Sequence, residues 1–313
     1  MVDELVRAKD REKLEGFHTD RRSIELKLDP VRGNFDGAHL KEINRRLFQD
    51  LPGLGFLDVT PGQYRPAVPD GADWMKNRGL STQPGSFFVA YSRMDAAAQE
   101  RLDRALEGAN PATLRGLKTA DFAASMGSLY TALDYAHPFT DGNSRTLRIF
   151  TQQLATESGY DINWEKFALN ETGRDLLYIA RDKSVNQLAR PNLQHEHSLL
   201  KIIQTETRTA HSRDLPDLLL DVIRPLRSLA FERMTQSDAL KAHPDLATAY
   251  ATLETAAKHF KSSVPDSASA QHAALTLVRT HVQTRLNGGE TMDFKRPGPR
   301  EPSPTGLEKS RDV

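Results

Sequence analysis

Two helical stripes separated by one short turn constrain this chain more than any other feature. Phe122, Met126, Leu129 and Leu133 are spaced by four, three and four residues, which puts them on one face of a helix. Leu147, Phe150 and Leu154 repeat that spacing downstream. Between the stripes lies HPFTDGNSRTLR, residues 137–148. The spacing predicts a turn between two helices whose last residues open the second helix. A helix's first turn has free backbone N–H groups and the positive end of the macrodipole. Gly142 and Asn143 tolerate positive φ, so the turn can curl into a nest of amides, a place that binds phosphate. With Arg145, Arg148, Asp141 and His137 around it, the turn reads as a nucleotide site with a base beside it.

Elsewhere the apolar pattern is also helical. Leu40, Ile43 and Leu47 share a face, as do Leu246, Tyr250 and Leu253, and a last stripe runs through Leu275, Val278, Val282 and Leu286. Leu218, Val222, Leu226 and Leu229 fit another helix, which Pro225 should kink or break. The expected fold class is mostly α, a helical core with a small β-hairpin followed by a C-terminal helical extension. Residues 1–206 would form the main domain, 207–292 the extension, and 293–313 a disordered tail with four prolines among many charges. The 42 basic and 42 acidic residues balance, which argues against a protein that holds nucleic acid on a broad basic face. There is no cysteine, so disulfides, thiol catalysis and cysteine-bound zinc are excluded. MVDELVRAKDREKLEGF has no apolar signal core, and no apolar run is long enough to span a bilayer. The expectation is a cytoplasmic protein without a membrane span, or one translocated into a host or recipient cell by a signal not visible in this way.

The motif resembles the signature of the Fic family, H-x-F-x-[DE]-G-N-[GS]-R-x-x-R. It matches at His137, Phe139, Asp141, Gly142, Asn143, Arg145 and Arg148, and Ser144 takes the less common alternative. FDGAHLKEINRRLFQDL, residues 35–51, resembles the family's early helix, with Asn44 where His is usual. ESGYDINW, residues 157–164, resembles the segment after the signature helix. The resemblance implies a protein adenylyltransferase that moves AMP from ATP to a Ser, Thr or Tyr hydroxyl of a target protein and releases pyrophosphate. It also admits relatives that transfer another nucleotide or a phosphoryl group, or a catalytically silent scaffold that binds a partner.

On that reading His137 is the general base, since imidazole takes a hydroxyl proton near neutral pH; the alternative is a histidine capping the preceding helix. Asp141 would hold Mg²⁺ against the phosphates, or simply favour a helix N-terminus. Gly142, Asn143 and Ser144 would form the anion hole, Asn143 donating through its side-chain amide; Ser144 could instead be an N-cap. Arg145 and Arg148 would bind phosphates through their forked guanidinium donors, or be solvated helix charges. Phe139 reads as an apolar plug that pins the loop to the core.

PGSFFVAY, residues 84–91, reads as a turn into a short strand. Fic proteins carry a flap hairpin here, so Phe87, Phe88 and Val89 would dock an extended target segment by β-augmentation, or form a core strand. Many relatives are inhibited by a helix bearing [ST]-x-x-x-E-[GN], whose glutamate pairs with the second signature arginine, here Arg148, and blocks the terminal phosphate of ATP. Glu15-Gly16 has Arg11 four residues earlier and Glu107-Gly108 has Asp103, so neither fits. The expectation is a chain without its own inhibitory helix: a bacterial toxin checked by a small antitoxin that supplies the glutamate, or an uninhibited effector.

Overall fold

The computed structural model describes residues 2–291, with side chains described from Asp10 onward. The tail expected at 293–313 lies outside the described residues. The helices are α1 (Val2–Leu28), α2 (Gly37–Phe48), α3 (Ala96–Glu107), α4 (Pro111–Leu114), α5 (Thr119–Ala136), α6 (Asn143–Glu157), α7 (Glu171–Ala189), α8 (Glu196–Thr209), α9 (Leu215–Leu219), α10 (Leu226–Arg233), α11 (Gln236–Ala242), α12 (Ala247–Ser263) and α13 (Ala268–Asn287). Four short strands join them: β1 (Trp74–Arg78), β2 (Phe87–Tyr91), β3 (Tyr160–Ile162) and β4 (Ile223–Pro225). The mostly α class with one small hairpin is therefore what the chain adopts.

Two compact units result, one running to Leu229 and including 287–289, the other built from 230–286. In the first, α5 is the central helix. Its four-three-four stripe is buried, and so are Ala123, Tyr130 and Ala136 on its flanks, because α3, α6, α7 and α9 surround it. Leu147, Phe150 and Leu154 of α6 are each fully buried. Each such side chain contributes about 1.5–3 kcal/mol of apolar burial, so the two helices flanking the signature turn are fixed independently of it. Asn44, standing where the resemblance expects His, ties α2 to α6 by donating to Thr146 Oγ1 at 3.1 Å. Antiparallel β1 and β2 pair Trp74 with Tyr91, Lys76 with Val89 and Arg78 with Phe87. Residues two apart share a face, so Trp74, Lys76 and Arg78 project together.

The helix expected through 218–229 is interrupted. Residues 223–225 instead pair with β3, and Pro225 stands opposite Tyr160 at the end of the ladder. In the second unit Phe231, Ala239, Leu246, Ala249, Tyr250, Val282 and Leu286 form a small core. No helix among the described residues is long and apolar enough to cross a membrane.

Candidate active site

The signature turn begins where α5 ends. His137 is the C-cap of α5, in the left-handed region at φ 44 and ψ 59, and its N–H reaches Leu133 O at 3.2 Å. A non-glycine residue there costs on the order of 1–3 kcal/mol, so its surroundings must hold it. Arg65 does much of this. Its buried guanidinium donates to His137 O at 2.8 Å and to Ser92 O at 2.7 Å, while its backbone N–H reaches Pro138 O at 2.8 Å. Arg65 also stacks 3.6 Å over the Trp74 ring. A cation on the last carbonyls of a helix also meets the negative end of its dipole. His137 thus caps the helix, and its ring lines the cleft.

The turn is closed by Asn143. Its side chain donates to Phe139 O at 2.7 Å and accepts from Phe139 N at 2.9 Å. The Asn143 side chain is buried and holds the loop, giving one amide N–H to Phe139 O. Phe139 is a buried plug beside Tyr64, as expected. The N-cap of α6 is Gly142 at φ 69, so Ser144 is not the cap but lies inside the first turn. Gly142 has a second reason to be glycine. A Cβ there would lie 1.9 Å from Phe48 Cζ, because the end of α2 packs against the turn. The N–H groups of Asn143, Ser144 and Arg145, the first three of α6, have no intrahelical acceptor and form the nest.

Around the His137 ring the electrostatics are specific. Its Nε2 lies 3.1 Å from Lys76 Nζ, and its Nδ1 faces Asp134 Oδ1 at 3.7 Å, longer than a hydrogen bond. The ring sits against Tyr91 with centroids 3.9 Å apart and meets Trp74 edge-on. Burial pushes the imidazole down to about 4, against the pull of Asp134 and with Lys76 and Arg181 adding to the fall. His137 is therefore neutral at physiological pH and able to accept a proton. Burial alone would push the Asp134 carboxyl up; the Arg181 guanidinium, at 2.8 Å, and the His137 ring outweigh it and hold it well below the usual carboxylate range.

The cations converge on a cavity of about 590 Å³ lined by His137, the Asp141–Arg145 turn, Arg148, Lys76, Arg78, Tyr91, Tyr178 and Arg181. Arg181 also donates to Ser144 Oγ at 3.0 Å, so that hydroxyl has a fixed partner. Arg78 is anchored on Asp182 by two bonds of 2.9 Å. Arg148 is largely buried, which lowers its proton affinity, and no carboxylate among the described residues lies within ion-pair distance of it. Asp141 is exposed at the lip of the cavity, and its Oδ1 accepts from Gly142 N at 2.6 Å. Glu15 enters the same cavity from α1 and forms an ion pair with Arg145, which also donates to Thr19 Oγ1 at 2.8 Å. Sequence reading set Glu15 aside because Arg11 stands where the motif requires Ser or Thr. In the structure Arg11 forms an ion pair with Asp58 and lies 4.5 Å over the Phe56 ring, which seats α1 without that residue. Glu15 thus reaches the first signature arginine, Arg145, and not Arg148.

The flap expectation also changes. Phe87 and Val89 are buried, and the edge of β2 away from β1 is already taken. Phe88 N donates to Thr205 Oγ1, Phe88 O accepts from Asn186 Nδ2, and Ala90 N donates to Asn186 Oδ1, all at 2.9–3.0 Å. Phe87, Phe88 and Val89 thus form a core strand whose outer edge is held by side chains of α7 and α8, while the outer edge of β1 has no strand partner among the described residues. Lys76, Asp134, Arg181 and Arg65 were not found from the sequence, and Glu15 was set aside. Of the four, only Asp134 carries a local signal, a carboxylate three residues before His137 on one helix face.

The chain is similar to known proteins along the segment that contains this turn. Residues 34–155 match the model of the Fic/DOC family. The protein adenylyltransferase VbhT of Bartonella schoenbuchensis is 29% identical over 186 residues, covering 58% of this chain and 34% of that protein. The probable protein adenylyltransferase Fic of Escherichia coli K12 is 29% identical over 164 residues, covering 50% of this chain and 68% of that one. The crystal structure of BepC from Bartonella tribocorum with bound AMPPNP aligns at 18% identity and a TM-score of 0.46, covering 69% of this chain and 88% of that one. The chain thus spans about a third of the length of the VbhT relative. The segment that matches the Fic/DOC family model contains the signature turn.

Proposed function

We propose that this protein transfers AMP from ATP to a hydroxyl of a target protein and releases pyrophosphate. One observation carries the reading: the neutral His137 ring and the α6 amide nest open into one cavity with Arg145 and Arg148. His137 takes the hydroxyl proton as the oxygen attacks the α-phosphorus. The amides, Arg148 and Arg145 stabilise the charge that builds on the departing pyrophosphate. Relatives named protein adenylyltransferases support nucleotidyl over phosphoryl transfer.

The residues fit Mg²⁺. Asp141 is an exposed carboxylate beside the nest, and no cluster of three metal-ligating side chains exists among the described residues. A single carboxylate with phosphate oxygens and water suits this ion, which would neutralise phosphate charge when bound. Glu15 restrains the site by occupying Arg145. Arg148 stays open to the glutamate of a small antitoxin or to a terminal phosphate.

The test is incubation with bacterial and host lysates and ATP labelled at the α or at the γ position. Label on a target protein from α-labelled ATP alone is the expected result. Label from the γ position would convert the reading to phosphoryl transfer. ATP binding without label from either would leave a binding scaffold.

A further inference from the structure

The AMP-transfer reading leaves one close contact unused, that of Lys76 with the base. We propose that Lys76 is a substrate-responsive cap: its ammonium competes with the acceptor hydroxyl for His137 Nε2 and leaves that nitrogen for the phosphoryl oxygens when a nucleotide lies on the nest.

The geometry requires the competition. The imidazole has one nitrogen toward the cavity, Nε2, since Nδ1 is buried and faces Asp134. Neutral imidazole has a single acceptor lone pair. Lys76 Nζ at 3.1 Å donates into it, where the attacking hydroxyl must also donate. A base capped in this way cannot take a proton until the ammonium withdraws.

The surroundings supply the reason to withdraw. No carboxylate among the described residues lies within ion-pair distance of Lys76. Burial, together with Arg78 and Arg65, disfavours its charge, and Asp141 and Asp134 only partly offset this. His137 itself is faced by Asp134 from α5, Lys76 from β1, Tyr91 from β2 and Arg181 from α7. Phosphate oxygens on the nest would provide the counter-charge that Lys76 lacks, within the cavity it already lines. Its four-carbon stem rises from a strand whose outer edge has no strand partner, so the head can move without breaking a ladder. The proton and bond balance is that of AMP transfer: hydroxyl proton to Nε2, new oxygen–phosphorus bond at the α position, pyrophosphate leaving. Lys76 contributes the order of events, because the base is uncovered only when there is a phosphorus to attack, and once withdrawn it donates to the phosphoryl oxygens as their charge builds.

The experiment compares the full chain with Lys76→Met and Lys76→Arg. Without nucleotide, carbethoxylation of His137 by diethyl pyrocarbonate is followed by peptide mass spectrometry. It should be at least about fivefold faster in Lys76→Met than in the parent, because a neutral imidazole nitrogen reacts only through its free lone pair. Equal rates, or no reaction in either, overturn the cap. In transfer assays Lys76→Met should lose about a hundredfold in kcat with the KM for target unchanged, as for loss of a transition-state donor, and Lys76→Arg should recover most of it. A raised KM with kcat intact would overturn the proposal and make Lys76 a target-docking residue. If the parent chain transfers nothing, the activity reading fails by itself, and the labelling ratio still decides the cap.

Discussion

Replacing Gly142 by alanine tests whether the nest is shaped by packing beneath it as well as by the ligand above it. The added Cβ would lie 1.9 Å from Phe48 Cζ and 2.2 Å from Cε2, and Gly142 is at φ 69. Moving a left-handed glycine to alanine costs roughly 1–2 kcal/mol. Forcing the fully buried Phe48 ring aside is overpacking, about 1–3 kcal/mol more. The expected loss is therefore about 2–5 kcal/mol. The ring contribution is separable: Phe48→Leu shortens the side chain, so in Phe48→Leu/Gly142→Ala the clash is relieved and only the backbone cost persists. The double mutant should be about 1–3 kcal/mol more stable than the sum of the single losses predicts. Urea unfolding followed by tryptophan fluorescence is the assay. Both tryptophans, Trp74 and Trp164, lie in the first unit, so the signal reports the unit that holds the site. Additive losses would refute the packing argument.

The remaining predictions concern charge. In kcat/KM, which reports the free enzyme, the acid limb should lie near pH 4, because His137 must be neutral to act and burial lowers it to about 4; a limb near the ordinary value of about 6.5 would contradict the buried geometry. The same shift bears on stability. Unfolded His137 binds its proton as pH falls through about 6.5 and the folded form does not until about 4, so this residue should cost on the order of 3 kcal/mol as pH drops through that window, and His137→Gln should remove that part of the acid sensitivity. Asp134→Ala leaves Arg181 buried without its carboxylate and should cost about 3–5 kcal/mol, whereas Asp134→Ala/Arg181→Met should recover much of it; urea midpoints for the set check this.

The helical frame was legible because its residues act locally. The Phe122-to-Leu133 stripe and the Leu147-to-Leu154 stripe bury the faces that their spacing indicates, and the turn between them contains the residues that line the cavity. What escaped the reading depends on residues distant in sequence. Asn186 and Thr205 fill the edge of β2, so Phe88 looks like a docking residue until α7 and α8 are in place. Arg181 reaches Asp134 from 47 positions away, and Lys76 reaches His137 from 61. The helical spacing of Leu218 to Leu229 misled for a different reason: β3 offers residues 223–225 a ladder, and Pro225 already disfavours a continuous helix. Glu15 was set aside because Arg11 breaks the motif, while in the fold Arg11 pairs with Asp58 and Glu15 reaches Arg145.

The central claim is that His137 is the base of a site which Glu15 restrains through Arg145. It is tested most directly by initial rates of target labelling from α-labelled ATP for the parent, Glu15→Ala and Glu15→Ala/His137→Ala. A partly buried charge-assisted contact of about 1.5–3 kcal/mol predicts a rise of roughly ten- to a hundredfold in Glu15→Ala. The double mutant should fold and lose that rate by about a hundred- to ten-thousandfold. Equal labelling by Glu15→Ala and Glu15→Ala/His137→Ala would contradict the account.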